Sequence, residues 1–234
     1  MARGSAFPTT HGTFLATLVA ESAADAGSDA GERARRHVME RYAGPLAVFV
    51  RGSSLRRLGE PDELVNGFLV ARLSDAAFLA GWAASGMRLR RWLMNGILFY
   101  GQGVARDRMR ASARGASVDA AELDRRAAGG DDAEIAFERA WALAVVREAT
   151  ARAEEELRDE GRADDFEIFR RHAVDGQPYA RIAPELGRSA QQCAGATRLV
   201  AQRVRAKLAE LFIEEGVPDA ELDDEIARVR EVLG

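Results

Sequence analysis

The chain has 234 residues, 47% apolar and 30% charged, with a formal net charge of −4. That leaves room for one large or two small packed domains, and no apolar run approaches the roughly 18 residues needed to cross a bilayer. The single cysteine, Cys193, excludes a disulfide framework and any multi-thiolate metal site.

Almost every segment reads helical: Ala, Leu, Arg and Glu dominate, and β-branched clusters with period two are absent. Residues 1–32 read as a loose start with a partial helix. Its mildly apolar stretch His11 to Ala20 runs into Glu21 and Asp25 without a cleavage site, so a secretory signal is rejected and a cytoplasmic location, with no membrane partner, is expected. Helices are then expected from about Arg33 to Arg51, Asp62 to Leu73, Leu89 to about Arg110 and Asp132 to Leu157. Further ones are expected from Asp165 to Ala173, Tyr179 to Leu186 and Ser189 to Glu215, and a short one from Asp219 to Leu233. The stretch 111–131 is rich in Gly, Ala, Ser and charge, which is linker composition. The expected fold is therefore all-α: two helical domains, 33–110 and 132–215, joined by a flexible linker, with an acidic C-terminal helix over 216–234.

Three helices carry patterns that bear on function. In Gly59 to Leu73, the residues Leu64, Val65, Phe68, Leu69 and Leu73 form one face, Asp62 and Glu63 suit the N-terminal turn, and Gly67 points to close approach by another element. In Gly86 to Arg110, Leu93, Ile97, Tyr100 and Val104 share one face, and Arg91, Asn95, Phe99, Gln102 and Arg106 share the other. Arginines interleaved with an aromatic and amides suit single-stranded nucleic acid: the ring stacks on a base, amides read its edge and guanidiniums hold phosphates. Phe99 and Trp92 serve equally well as residues of a second core.

The third pattern is QPYARIAPELGRSAQQ. Tyr179, Ile182, Ala183 and Leu186 make an apolar stripe, Gly187 suits a left-handed helix end, and Ser189 suits an N-cap. This is either a helix-turn-helix, whose second helix can enter a major groove, or an ordinary helical hairpin. On the second helix Cys193, Ala196, Val200, Val204, Leu208 and Leu211 face inward, and Gln191, Gly195, Arg198, Gln202 and Arg205 face outward. Gln and Arg pair bidentately with adenine and guanine edges.

Charge is unevenly spread. Seven arginines face one acid, Asp107, between Arg88 and Arg114, and four basic residues face none from Arg198 to Lys207. Two basic zones on an acidic background suit two local nucleic-acid contacts; solvated helix faces are the other reading. Catalysis finds no support: His11, His37 and His172 are far apart, and no metal-ligand spacing or Gly-x-Ser-x-Gly elbow occurs. No cofactor and no metal are expected.

In order, the runs RYAGPLAVFVRG, PDELVNGFLVARL, RLRRWLMNGILFY and GQPYARIAPELGRS resemble a bacterial RNA polymerase sigma factor of the extracytoplasmic-function type, over about Arg41 to Leu233. The resemblance implies a protein that binds core RNA polymerase and directs promoter recognition and strand opening, without catalysis. It assigns polymerase binding to Asp62, Glu63, Leu64, Asn66, Phe68 and Arg72. It assigns capture of the downstream promoter element to Arg88, Arg90, Arg91, Trp92, Asn95, Phe99 and Arg106. The upstream element falls to Ser189, Gln191, Gln192, Arg198, Arg203 and Arg205. The implied partners are core RNA polymerase and promoter DNA, with an anti-sigma factor as a further partner class. The chain departs from the family pattern at Glu63 (usually Asp) and Asn66 (usually Gln). Its arginine run after the melting helix is diluted to VARDRMR, and SAQQCAGATRLVAQRVR is about one helical turn longer than the family's. Two rivals remain: a helix-turn-helix regulator acting without polymerase docking, and a helical interaction protein that keeps the fold without promoter activity.

Overall fold

A computed structural model describes residues 14–24, 29–112 and 130–234. Among the described residues the chain is all-helical, with ten α-helices and no strand. In order they are α1 (Phe14–Ala24), α2 (Ala30–Gly52), α3 (Pro61–Leu73), α4 (Ala76–Ser85), α5 (Leu89–Ser112) and α6 (Asp131–Asp159). Then follow α7 (Ala163–Phe169), α8 (Tyr179–Glu185), α9 (Ala190–Glu214) and α10 (Leu222–Leu233). Short 3₁₀ turns cover Ser54–Leu58 and Asp219–Glu221, and a π turn covers Arg170–Val174.

The partial helix expected in the first stretch is α1, which sets Leu15, Leu18 and Val19 into the core. Helix α4, unanticipated, is bounded by clear local chemistry. Asp75 caps its start by accepting from the Ala77 amide at 2.9 Å, and Gly86 ends it at φ +67°, a conformation that costs a residue with Cβ far more. The helix expected to reach Ala173 gives way after Phe169 to the π turn. The last helix starts at Leu222, after the 3₁₀ turn. Most of the expected linker, 113–129, lies outside the described residues.

The main core draws on both sides of that segment. Helix α2 buries Val38, Tyr42, Leu46, Phe49 and Val50 completely, and Phe49 meets Phe137 of α6 edge-on at 6.2 Å between centroids. Trp141 of α6 stacks on Phe212 of α9 at 6.0 Å. The stretches expected to form separate domains thus share one continuous core, completed by Ile226 and Val229 of α10. A second, smaller core holds Ile168, Ile182, Ala183, Cys193 and Ala196, knitting α7, α8 and the first half of α9.

A buried ion network ties α2 to the C-terminal helices. Arg41 donates twice to Glu148, at 3.0 and 2.9 Å, and once to Glu215 at 2.8 Å; the Tyr42 hydroxyl donates to the other Glu215 oxygen at 2.8 Å. Arg152 closes the ring onto Glu148 at 2.8 Å and Glu214 at 2.7 Å. Burial and the adjacent Glu215 charge push the Tyr42 phenol well up, so it stays a donor. Burial opposes ionisation of Glu148, but the hydrogen bonds and charges of Arg41 and Arg152 together outweigh it and hold the carboxyl below its usual range. Next to this network, burial and then the Arg41 charge bring His37 down to about 4.

No single helix among the described residues is long and apolar enough to cross a membrane. The apolar pair α3 and α4 is bent by 85°, and its Leu64, Val65, Phe68, Leu69, Leu79 and Trp82 are buried in the core.

Candidate nucleic-acid interface

Helix α5 begins at a braced corner. The Trp82 indole donates to the Met87 carbonyl at 2.9 Å, and the Ser85 hydroxyl donates to the Trp82 carbonyl at 2.7 Å, fixing the turn from α4. From that corner the helix divides by periodicity. Leu93 and Ile97 are fully buried, whereas Arg91, Phe99 and Arg106 are exposed and Asn95 and Gln102 half-exposed. Phe99 is 65% exposed, a large apolar cost for a ring with no part in the core. Trp92 lies differently: it is half-buried and packs on Phe78 at 5.6 Å, which makes it a wedge between α4 and α5. The Asn95 amide nitrogen lies 3.7 Å from the Met87 sulfur.

The arginines at the head of α5 are already paired. Arg88 donates to Glu221 at 2.5 Å, and Arg91 to Glu134 at 2.7 Å. Arg90 is buried, donating to Glu138 at 3.1 Å and Glu225 at 2.6 Å with its guanidinium 4.4 Å above the Trp141 ring. Of the seven positions assigned to the downstream element, Asn95, Phe99 and Arg106 lie open on one face. Arg88 and Arg91 lie at its edge in ion pairs, and Arg90 faces inward.

On α3, Asp62, Glu63 and Asn66 are exposed and Arg72 half-exposed, with Val70 beside them at 61%. Leu64 and Phe68, assigned to the same partner, instead face inward: Phe68 is fully buried, 6.0 Å from Phe78 and 5.9 Å from Tyr100. Periodicity alone places both on the apolar stripe, and the structure follows the stripe. Gly67 admits α5 here, since a Cβ at this position would sit 2.7 Å from the Tyr100 hydroxyl oxygen.

The second surface is built around α9. Gly187 has φ +63°, and Ser189 caps α9 through a reciprocal box: its hydroxyl accepts from the Gln192 amide at 3.2 Å, and the Gln192 side chain accepts from the Ser189 amide at 2.7 Å. Buried Asp165 braces the turn, accepting from Arg162 at 2.8 Å and from Arg188. Burial works against ionisation of Asp165, yet the Arg188 and Arg162 bonds win and depress its carboxyl. Helix α9 then runs unbroken from Ala190 to Glu214. Cys193, Ala196, Val200, Leu208 and Leu211 are buried, whereas Gln191, Gln192, Arg198, Gln202 and Arg205 are exposed. Gln192 spends its side-chain oxygen on the cap. Arg203 is held by Glu156 and, at 3.0 Å, by Glu160; Arg205 by Asp223 at 2.6 Å. Among the described residues no ion pair engages Arg198, which stands with Gln191 and Gln202 as the free polar face of α9.

The S-x-x-Q box was legible at Ser189 and Gln192, and it changes the role of Gln192. The pairing of Arg88, Arg90 and Arg205 with α10 and its lead-in has no local signal, because the partners lie far along the chain. Compared with family models, curated proteins and solved structures, the chain matches none.

Proposed function

We propose that the protein is a sigma factor: it binds core RNA polymerase and directs promoter recognition and strand opening. The observation that carries the reading is Phe99, a ring left in solvent on a face otherwise composed of Arg91, Asn95, Gln102 and Arg106. A stacking ring between amide and guanidinium groups is what an unpaired base requires, and base–aromatic stacking is worth about 1–3 kcal/mol per base. The free face of α9, with Gln191, Arg198 and Gln202 after a tight capped turn, supports a helix-turn-helix reading duplex DNA. The exposed Asp62, Glu63, Asn66 and Val70 of α3 offer a polymerase-docking face. In this reading 33–110 and 132–215 are two functional units, and Leu64 and Phe68 support the docking helix from inside.

The test is transcription by purified bacterial core RNA polymerase on fragmented genomic DNA, with and without the protein. New discrete transcripts are expected. Neither transcripts nor polymerase binding would refute the reading and leave a DNA-binding regulator that acts without polymerase.

A further inference from the structure

We propose that α10 with its lead-in, together with the first turns of α6, forms an intramolecular acidic cover that occupies the phosphate-binding positions of the DNA surface. The inference rests on the reading of α5 and α9 as that surface.

Carboxylates stand where phosphate oxygens would stand. Arg88 holds Glu221 at 2.5 Å and lies 3.9 Å from Glu225; Arg91 holds Glu134 at 2.7 Å; Arg205 of α9 holds Asp223 at 2.6 Å. A guanidinium binds carboxylate and phosphate with the same fork, so one ligand excludes the other. One acidic stretch, Glu221 to Glu225, reaches both basic zones, pairing with Arg88 and Arg205, which lie more than a hundred residues apart in sequence.

The cover is graded in strength. Its anchor is buried: Glu225 against Arg90, with side chains 2% and 6% exposed, and Ile226 and Val229 in the main core. Its edge is wet, since Glu134, Glu221 and Asp223 have side chains 38%, 53% and 84% exposed. Ion pairs that exposed are weak and screened by salt, so competing phosphates can displace them without dismantling the anchor. Farther along α5, Phe99 and Arg106 remain open. DNA can therefore land on the open half and reach Arg88 and Arg91 only by lifting the edge of the cover.

The test uses the full chain and a labelled single-stranded oligonucleotide of arbitrary sequence, read by fluorescence anisotropy over a salt series. The edge variant Glu134→Gln/Glu221→Gln/Asp223→Asn is compared with a variant of the same net charge, Glu21→Gln/Glu40→Gln/Glu60→Gln, whose exposed acids hold no arginine among the described residues. The edge variant is expected to bind about tenfold tighter than the matched one. Its log–log salt slope should steepen by about 1.4, because the freed Arg88 and Arg91 displace counterions at about 0.7 per phosphate on a single strand. Equal affinity and equal slope in the two variants would overturn the cover. Asp223→Asn alone, at a site too exposed to bear on folding, should steepen the slope of duplex binding by just under one. Transcription with core polymerase separates the two ideas. Tighter binding without transcripts from any variant sinks the polymerase reading and leaves the cover; transcripts with unmoved affinity do the reverse.

Discussion

Replacing Arg41 with methionine removes the centre of the buried network while keeping much of the side-chain volume. Arg41 is 3% exposed at its side chain and serves Glu148, Glu214 and Glu215 together. After the substitution Glu148 and Glu214 still have Arg152, and both are partly wet. Glu215 does not: its side chain is 6% exposed and keeps only the Tyr42 hydroxyl. One uncompensated buried carboxylate sets the magnitude, at about 3–5 kcal/mol. For a chain of this length about 2–4 °C accompanies each kcal/mol, so the melting midpoint should fall by roughly 6–20 °C. Urea unfolding followed by far-UV circular dichroism and by tryptophan fluorescence measures it, and the two signals should share one midpoint in the parent if the core is a single cooperative unit. Adding Glu215→Gln should recover a substantial part of the loss, since the orphaned group is then neutral. A loss below about 1 kcal/mol, or no recovery in the double variant, would refute the assignment of Glu215 as the dominant buried charge.

Acid should destabilise the fold through His37. Its folded pKa of about 4 lies below the ordinary 6.5, so the neutral ring is favoured in the fold. That contribution is complete above pH 6.5 and fades as pH falls toward about 4; between pH 7 and pH 5 the loss is about 2 kcal/mol, and His37→Gln should flatten that part of the stability–pH curve. The depressed Glu148 carboxyl acts in the same direction at lower pH, its contribution present above the unfolded value and lost as pH falls through the folded one. Asn95→Ala with Phe99→Ala should abolish permanganate reactivity of promoter thymines while changing stability by less than about 1 kcal/mol, because Phe99 lies outside the core; unchanged thymine reactivity would rule out the stacking role. Gly67→Ala should destabilise by about 1–2 kcal/mol despite the better helix former, since its Cβ would meet the Tyr100 hydroxyl, and Tyr100→Phe should relieve most of that cost in a denaturant double-mutant cycle.

What was legible in advance follows from length and period. Helices α5 and α9 run for many turns, so their apolar stripes declared both faces, and Leu93, Ile97, Cys193 and Leu208 are all buried. Helix α4 escaped because AAFLAGWAAS has no polar face to alternate with, although Asp75 and Gly86 at its ends carry the capping chemistry. Helix α1 is short and follows a polar, Gly- and Thr-containing start, which masks three buried side chains. Resemblance and periodicity disagreed at Leu64 and Phe68, and burial followed periodicity. The ion pairs are a different matter: Arg90 and Glu225, or Arg41 and Glu215, meet only because the helices stack, and nothing in either local sequence names the partner.

Helix α9 belongs to both cores, with Leu208, Leu211 and Phe212 in the larger and Cys193 and Ala196 in the smaller. Between those two anchorages Arg203 is held by Glu156 and Glu160, so the helix is pinned along its length. The smaller core is thus carried at the end of one rigid rod, about 27 Å long from Ala190 to Leu208 at 1.5 Å per residue.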